Sequence, residues 1–254
     1  MSYSTRNGAA VASVHKVWLA CLLSAVALAC HAGETCHTPD SKGNVACSAG
    51  MNEARVREIA TVQEKSQWCW AASISMIFAN YGYTLAQEAI VKDVHGSVAD
   101  VNAESGEVMT NALQRHWRDA ANHEFAVSAR AGDVAAQRYD ISNAAIAREL
   151  ADGRPLLIGT RGHAMVLVRA NYERRSNGDI VITGGTVIDP LPGKGVRRLA
   201  RNEMGLTYVA AVQVSGVDGN AQVHADADDA RSGPLAAGTS YAGSALTMSF
   251  TDAH

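Results

Sequence analysis

The order of its apolar patterns constrains this chain most: helical periodicity comes first, and after Pro155 the apolar runs are short, rich in Val and Ile, and separated by turns. LLIGT, the segment from His163 to Arg169, IVITGG with VIDP, and Tyr208 to Ser215 are such runs, with SNGD and PLPGKG between them. That is the pattern of an antiparallel sheet. Ahead of it, Trp70, Ile74, Ile77, Phe78 and Tyr81 fall on one face of a helix that Cys69 opens and Gly82 stops. Thr84-Leu85-Ala86-Gln87 has capping-box spacing and predicts a second helix to about Val94. A third is expected from about Ser105 to Ala121, with Val108, Ala112, Leu113 and Trp117 on one side. A strand at Phe125 to Ala129 and a helix from Ser142 to Ala151, closed by Gly153, complete the first half. Helices before strands predict an α+β fold, with a helical half packed on an antiparallel sheet half. The 254 residues, 47% of them apolar, suffice for one substantial core, and no internal repeat is present.

Both ends depart from this pattern. Residues 17–30, VWLACLLSAVALAC, form an apolar run behind Lys16, the arrangement of a secretory signal peptide. The run is shorter than the roughly 20 residues a membrane-crossing helix needs, so no integral span is expected once it is removed. A buried N-terminal helix is the alternative reading. Small residues allow cleavage after Ala32, the preferred site, or after Ala29. The second would leave Cys30 first and open to a lipid anchor, although Ala27-Leu28-Ala29-Cys30 lacks a branched residue three before the cysteine. After Ser215 the chain turns to Gly, Ala, Ser and Asp, which predicts a disordered acidic tail. The expected organisation is a signal peptide over 1–32, an arm over 33–57, one domain over 58–215 and a tail over 216–254. The expected destination is the periplasm or the outside of the cell.

Charge narrows the partners. The chain has 22 Lys+Arg against 25 Asp+Glu, and no run of basic residues exceeds two. Nothing here matches the electrostatic footprint of a nucleic-acid or anionic-membrane binder. Of the five cysteines, Cys36 and Cys47 flank the turn-rich HTPDSKGNVA and are the natural disulfide pair in an oxidising compartment. Cys69 is left over, as an intermolecular bridge, a buried inert thiol or a reactive one. No CxxC or Cys/His cluster has metal-ligand spacing, so no metal and no cofactor is expected.

A helix start and a nearby imidazolium are the two local devices that lower a thiol's pKa, and Cys69 has the first. Among the histidines, His163 stands where a strand begins, after a flexible Arg161-Gly162 pair, facing the junction of the two halves. Asp189 ends the run TVIDP and can orient that ring. Gln63, six residues before Cys69, can donate to an oxyanion together with the Cys69 N–H. Each residue also has a plain structural role to offer: core for Cys69, edge of a strand for His163, a turn cap for Asp189, and a solvent-facing amide for Gln63.

Taken in order, Gln63-x5-Cys69-Trp70-Ala71-Ala72, Gly153-Arg154-Pro155 leading into LLIG, Gly162-His163-Ala164-Met165-Val166-Leu167-Val168, and Val187-Ile188-Asp189-Pro190 resemble the compact bacterial papain-like cysteine peptidases, the AvrRpt2-type and C39-like group. The resemblance spans roughly 58–215. It implies a papain-like fold with Cys69 as nucleophile, His163 as general base and acid, Asp189 as orienter of the imidazole and Gln63 as oxyanion donor. It also implies a protein or peptide substrate and no cofactor. Trp68 directly before Cys69 departs from larger papain relatives, which carry a Cys-Gly-x-Cys-Trp sequence with a disulfide beside the nucleophile. Acyl transfer or deamidation uses the same thioester chemistry. A catalytically silent binding module of the same fold, and a structural protein joined through Cys69, are readings from other classes.

Overall fold

The computed structural model describes residues 33–216, and the expected leader, with its cleavage sites and Cys30, and the tail beyond Gly216 lie outside them. Two short strands come first, β1 (Glu34–Cys36) and β2 (Val45–Gly50). Helices α1 (Glu53–Ile59), α2 (Cys69–Asn80), α3 (Gln87–His95) and α4 (Gly106–Leu113) follow. Strands β3 (His116–Arg118), β4 (Glu124–Asp133) and β5 (Arg138–Tyr139) precede α5 (Asn143–Ala151). The rest is strand: β6 (Leu156–Thr160), β7 (His163–Arg174), β8 (Ile180–Asp189), β9 (Gly195–Arg198) and β10 (Tyr208–Gly216). The fold is α+β.

All ladders are antiparallel, in the order β1-β2-β7-β6-β10-β4-β3, with β5 on β4 and with β8 and β9 branching from β7. Strand β7 is the hub: it pairs β6 over His163 to Leu167, β8 over Val166 to Arg174, and β2 over Arg169 to Arg174. Successive side chains leave a strand on opposite faces. Thus Leu157, Ala164, Val166, Val168, Ala210 and Val212 join one core with α1 to α4, while Leu156, Ile158, Met165, Leu167, Val209 and Ala211 join a second core with α5. Covering both faces explains why these strands read as continuous apolar runs rather than alternating ones. It also refines the expected two-layer packing, because α5 covers the face opposite the other helices.

Helix α2 forms where its apolar face predicts it. Trp70, Ile74, Ile77 and Phe78 are at most 1% exposed, and burying each contributes about 1.5–3 kcal/mol relative to solvent. This anchoring fixes Cys69 at a rigid helix start.

Other expectations are corrected. The third helix stops at Leu113, and Trp117 lies in β3 opposite Phe125. Its indole still returns to the helix, donating to the Ala112 carbonyl at 3.1 Å, so the residue is buried as expected but by a strand. Thr84 caps nothing: α3 starts at Gln87 behind Ala86, which makes no side-chain cap, and Gln87 instead donates to the Val62 carbonyl and accepts from Glu64 N–H. The arm expected over 33–57 contributes two strands to the sheet. Strands β1 and β2 extend it along β7, and Cys36 and Cys47 are direct cross-strand partners joined by a disulfide.

Candidate active site

Cys69 is the first residue of α2, and Trp68 before it gives no side-chain cap. The first N–H groups of a helix have no intrahelical partners, and the helix dipole adds partial positive charge there. The flanking tryptophans hold this start in place. Trp68 Nε1 donates to the Ala99 carbonyl at 2.8 Å and Trp70 Nε1 to the Val101 carbonyl at 3.2 Å. Between those carbonyls, Asp100 accepts from the Ser66 hydroxyl and the Gln67 N–H, both at 2.8 Å. The loop entering Cys69 is thereby pinned to the 99–101 segment.

The sheet side approaches through the β6–β7 hairpin. Thr160 pairs with His163, and the two residues between them both have positive φ, Arg161 at 51° and Gly162 at 76°. That is a type I′ turn, whose twist matches the strands it joins. The pair is therefore a tight hairpin rather than a flexible link, with Arg161 Nε further held by the Asn202 carbonyl at 2.9 Å. One residue on, the Ala164 N–H reaches Cys69 Sγ at 3.5 Å. His163 stands with Cys69 in the lining of one cleft and acts on the ionisation of the thiol. Its Nε2 lies 2.7 Å from Asp189 Oδ1, which leaves Nδ1 for the sulfur.

Burial pushes the Cys69 thiol up, but the His163 hydrogen bond, the Ala164 N–H, the imidazolium charge and the Trp70 N–H together outweigh it and hold the thiol below its ordinary value. For His163, burial works against the charged ring, yet the Cys69 and Asp189 hydrogen bonds and charges prevail and raise it. Both directions favour a thiolate–imidazolium pair, which titrates as one unit. Such a pair attacks an electrophilic carbonyl and returns a proton to a leaving group.

Asp189, at the end of β8, is 2% exposed. Its Oδ1 also accepts from the Leu191 N–H at 3.0 Å, and its Oδ2 receives Arg197 Nε at 2.9 Å and Nη2 at 2.8 Å. Burial alone would raise this carboxyl, but Leu191, His163 and Arg197 keep it lowered and ionised. Arg197 on β9 is itself gripped by Glu203, with two bonds of 2.7 Å. From sulfur to Glu203 the charges alternate in sign. The sequence reading missed Arg197 and Glu203, whose only local signal is an Arg-Arg doublet after a turn; their partner is reached across the sheet.

Gln63 is buried beside this assembly. Its N–H donates to the Pro190 carbonyl at 2.8 Å, tying the Cys69 loop to the turn after Asp189. Its amide Nε2 donates to the carbonyls of Lys65 at 2.7 Å and Ser66 at 2.8 Å, and its Oε1 is buried without a partner. Both amide hydrogens are thus engaged by the loop in this state. Cys69, His163 and Asp189 come together at one junction of helix and sheet, with Gln63 tied to it through Pro190, and a cleft lined by Cys69 and His163 opens there between the 102–106 segment, Asp133 and the β6–β7 hairpin.

A family model described as papain-like cysteine protease AvrRpt2 matches residues 51–182, just over half of the chain. The chain belongs to this papain-like cysteine protease family. It is accordingly an enzyme, a cysteine peptidase, and its family implies protein substrates. The match contains Gln63, Cys69 and His163, while Asp189 and Arg197 lie past its end. No curated protein matches the chain. Among the described residues, no helix is long and apolar enough to cross a membrane.

Proposed function

We propose that this peptidase hydrolyses peptide bonds with Cys69 as nucleophile, His163 as general base and acid, and Asp189 as the group that orients and charges the imidazole. The observation that supports it most is the meeting of a helix-start thiol with a histidine whose far nitrogen is 2.7 Å from a buried aspartate. The thiolate adds to the scissile carbonyl carbon, and the carbonyl π pair moves onto oxygen. The Cys69 N–H, free at the helix start, donates to that oxyanion. Gln63 supplies the second donor by exchanging one of its two loop carbonyls for it. The imidazolium protonates the amide nitrogen as its bond to carbon breaks, which releases the amine and leaves a thioester. His163, now neutral, takes a proton from water as its oxygen attacks, and collapse of the second tetrahedral adduct returns acid and thiolate. No cofactor enters any step.

The cross-strand disulfide in β1 and β2 and the leader pattern of residues 1–32 together support a site of action beyond the cytoplasm. N-terminal sequencing of the protein from the exported fraction is expected to begin at Gly33; recovery of full-length chain in the cytoplasm alone would refute export. For the chemistry, Cys69→Ala and His163→Ala are each expected to lower peptide hydrolysis by at least about 10³-fold, as loss of a nucleophile or its base does, with the cooperative thermal transition retained. A folded Cys69→Ala protein that still cleaves would remove the proposal.

A further inference from the structure

The cleft beside Cys69 encloses about 220 Å³. Trp70, Met109, Tyr208 and Ala164 give it apolar walls, and Cys69 and His163 stand in the same lining. The charged side chains that line it besides His163 are Glu104 and Asp133; among the described residues no Lys or Arg does.

Asp133, the last residue of β4, is 8% exposed. Its Oδ1 accepts from the N–H groups of Ala135 at 2.9 Å and Ala136 at 3.3 Å. Its Oδ2 has no hydrogen-bond or ion-pair partner among the described residues. That oxygen lies against Gly106, where a Cβ would collide with it and would stand 2.6 Å from the Tyr208 ring. Only glycine at 106 lets the carboxylate and the ring share this wall. The Tyr208 hydroxyl pairs with Thr110 Oγ1 at 3.0 Å, so it is not turned to the carboxylate. Arg138 faces Asp133 across the β4–β5 pair, but its ion pair is with Asp140, which leaves Oδ2 open to a charge-assisted hydrogen bond from a cation brought by a ligand. The apolar walls suit the methylene stem of such a ligand.

We infer that this cleft is a specificity pocket for a basic side chain, lysine or arginine, next to the scissile bond, with Asp133 as its deep countercharge and Glu104 at its rim. The inference deepens the peptidase reading and rests on it. Because the pocket shares its lining with Cys69 and His163, the side chain that fills it belongs to a residue at or beside the bond being cut.

The test uses peptidyl acyloxymethyl ketones identical except for one side chain, lysine or norleucine, at each of the two positions preceding the ketone. The second-order rate of Cys69 alkylation is followed by intact mass. Lysine is expected to be faster than norleucine by about tenfold or more at one of the two positions, since a site built around an unpaired polar group rejects the apolar analogue. Asp133→Asn keeps an acceptor for Ala135 and Ala136 and is expected to bring that ratio close to one. Glu104→Gln, at the exposed rim, is expected to lower it less. The ratio is internal to each variant, so a general loss of rate does not imitate the effect. A ratio near one in the native protein, or one unchanged by both substitutions, overturns the inference while leaving the peptidase reading intact. If no ketone labels Cys69 although iodoacetamide does, the peptide-binding cleft itself is wrong and both readings fall. Should Asp133→Asn not fold, the native ratio and Glu104→Gln still decide the matter.

Discussion

The two sides of the site are built by different physics. On the helix side, Cys69 is positioned by one element whose apolar face is buried to 1% exposure or less, and the helix start adds the Trp70 N–H to the influences of His163 and Ala164 that lower its thiol. On the sheet side, His163, Asp189, Arg197 and Glu203 come from three strands and a short turn, and a ladder of alternating charges holds them. The helix side depends on local sequence and packing, whereas the sheet side depends on register among strands far apart in the chain. Loss of Cys69, or of the His163 that meets it, is expected to remove the reaction, and damage to the charges behind His163 to detune it.

The sharpest probe of the sheet side is Asp189→Ala. It removes the carboxylate that the half-buried Arg197 and the His163 ring share, so activity is expected to fall about 10²-fold, less than for His163→Ala. Arg197 keeps its two bonds to Glu203, so the loss of stability is expected to be about 1.5–3 kcal/mol, that of a hydrogen bond to a charged group, read as a lower chemical-denaturation midpoint. In the milder Arg197→Met, the Asp189 carboxyl loses the guanidinium that helps hold its pKa down. Asp189 then protonates at higher pH, so the acid limb of kcat/KM is expected to move up in pH with KM little changed and kcat at its optimum about tenfold lower. An unmoved acid limb would make Arg197 a scaffold residue only. A loss from Asp189→Ala that exceeded His163→Ala in a folded protein would reverse the ranking of roles.

On the helix side, Gln63→Ala tests whether the amide does more than brace its loop. Loss of an oxyanion donor is expected to lower kcat by about 10- to 100-fold with little change in KM. A loop brace alone would raise KM or lower stability and spare kcat, because its bonds run to the Lys65 and Ser66 carbonyls rather than to substrate.

The same division explains what the sequence made legible. Helix α2 and its stop just before Gly82, the Ser142-capped helix α5 and most of β6 to β10 follow from short-range periodicity and turn residues. Cys69 stood out because a helix start is a local signal, and His163 because a strand begins at it. The end of the third helix was misread because Trp117 reaches the same buried wall from a strand. The capping-box reading of Thr84 failed because Gln87 found partners in the Val62 to Glu64 segment, more than twenty residues away. Arg197, Glu203 and the unpaired oxygen of Asp133 were invisible for a related reason: each takes its meaning from a neighbour that only the sheet register supplies. The disulfide is the exception, a pairing read from ten intervening turn residues and found directly across two strands.

The most direct test of the central claim is the pH dependence of iodoacetamide alkylation at Cys69, measured by mass spectrometry on the protein and on His163→Ala. The geometry predicts a thiol that reacts below the ordinary thiol pKa of about 8.5 in the native protein. Without His163, which supplies both a hydrogen bond and the imidazolium charge, the low-pH reactivity is expected to disappear. A Cys69 that titrates as an ordinary thiol in both proteins, or is inert in both, would contradict the thiolate–imidazolium pair on which the proposed mechanism stands.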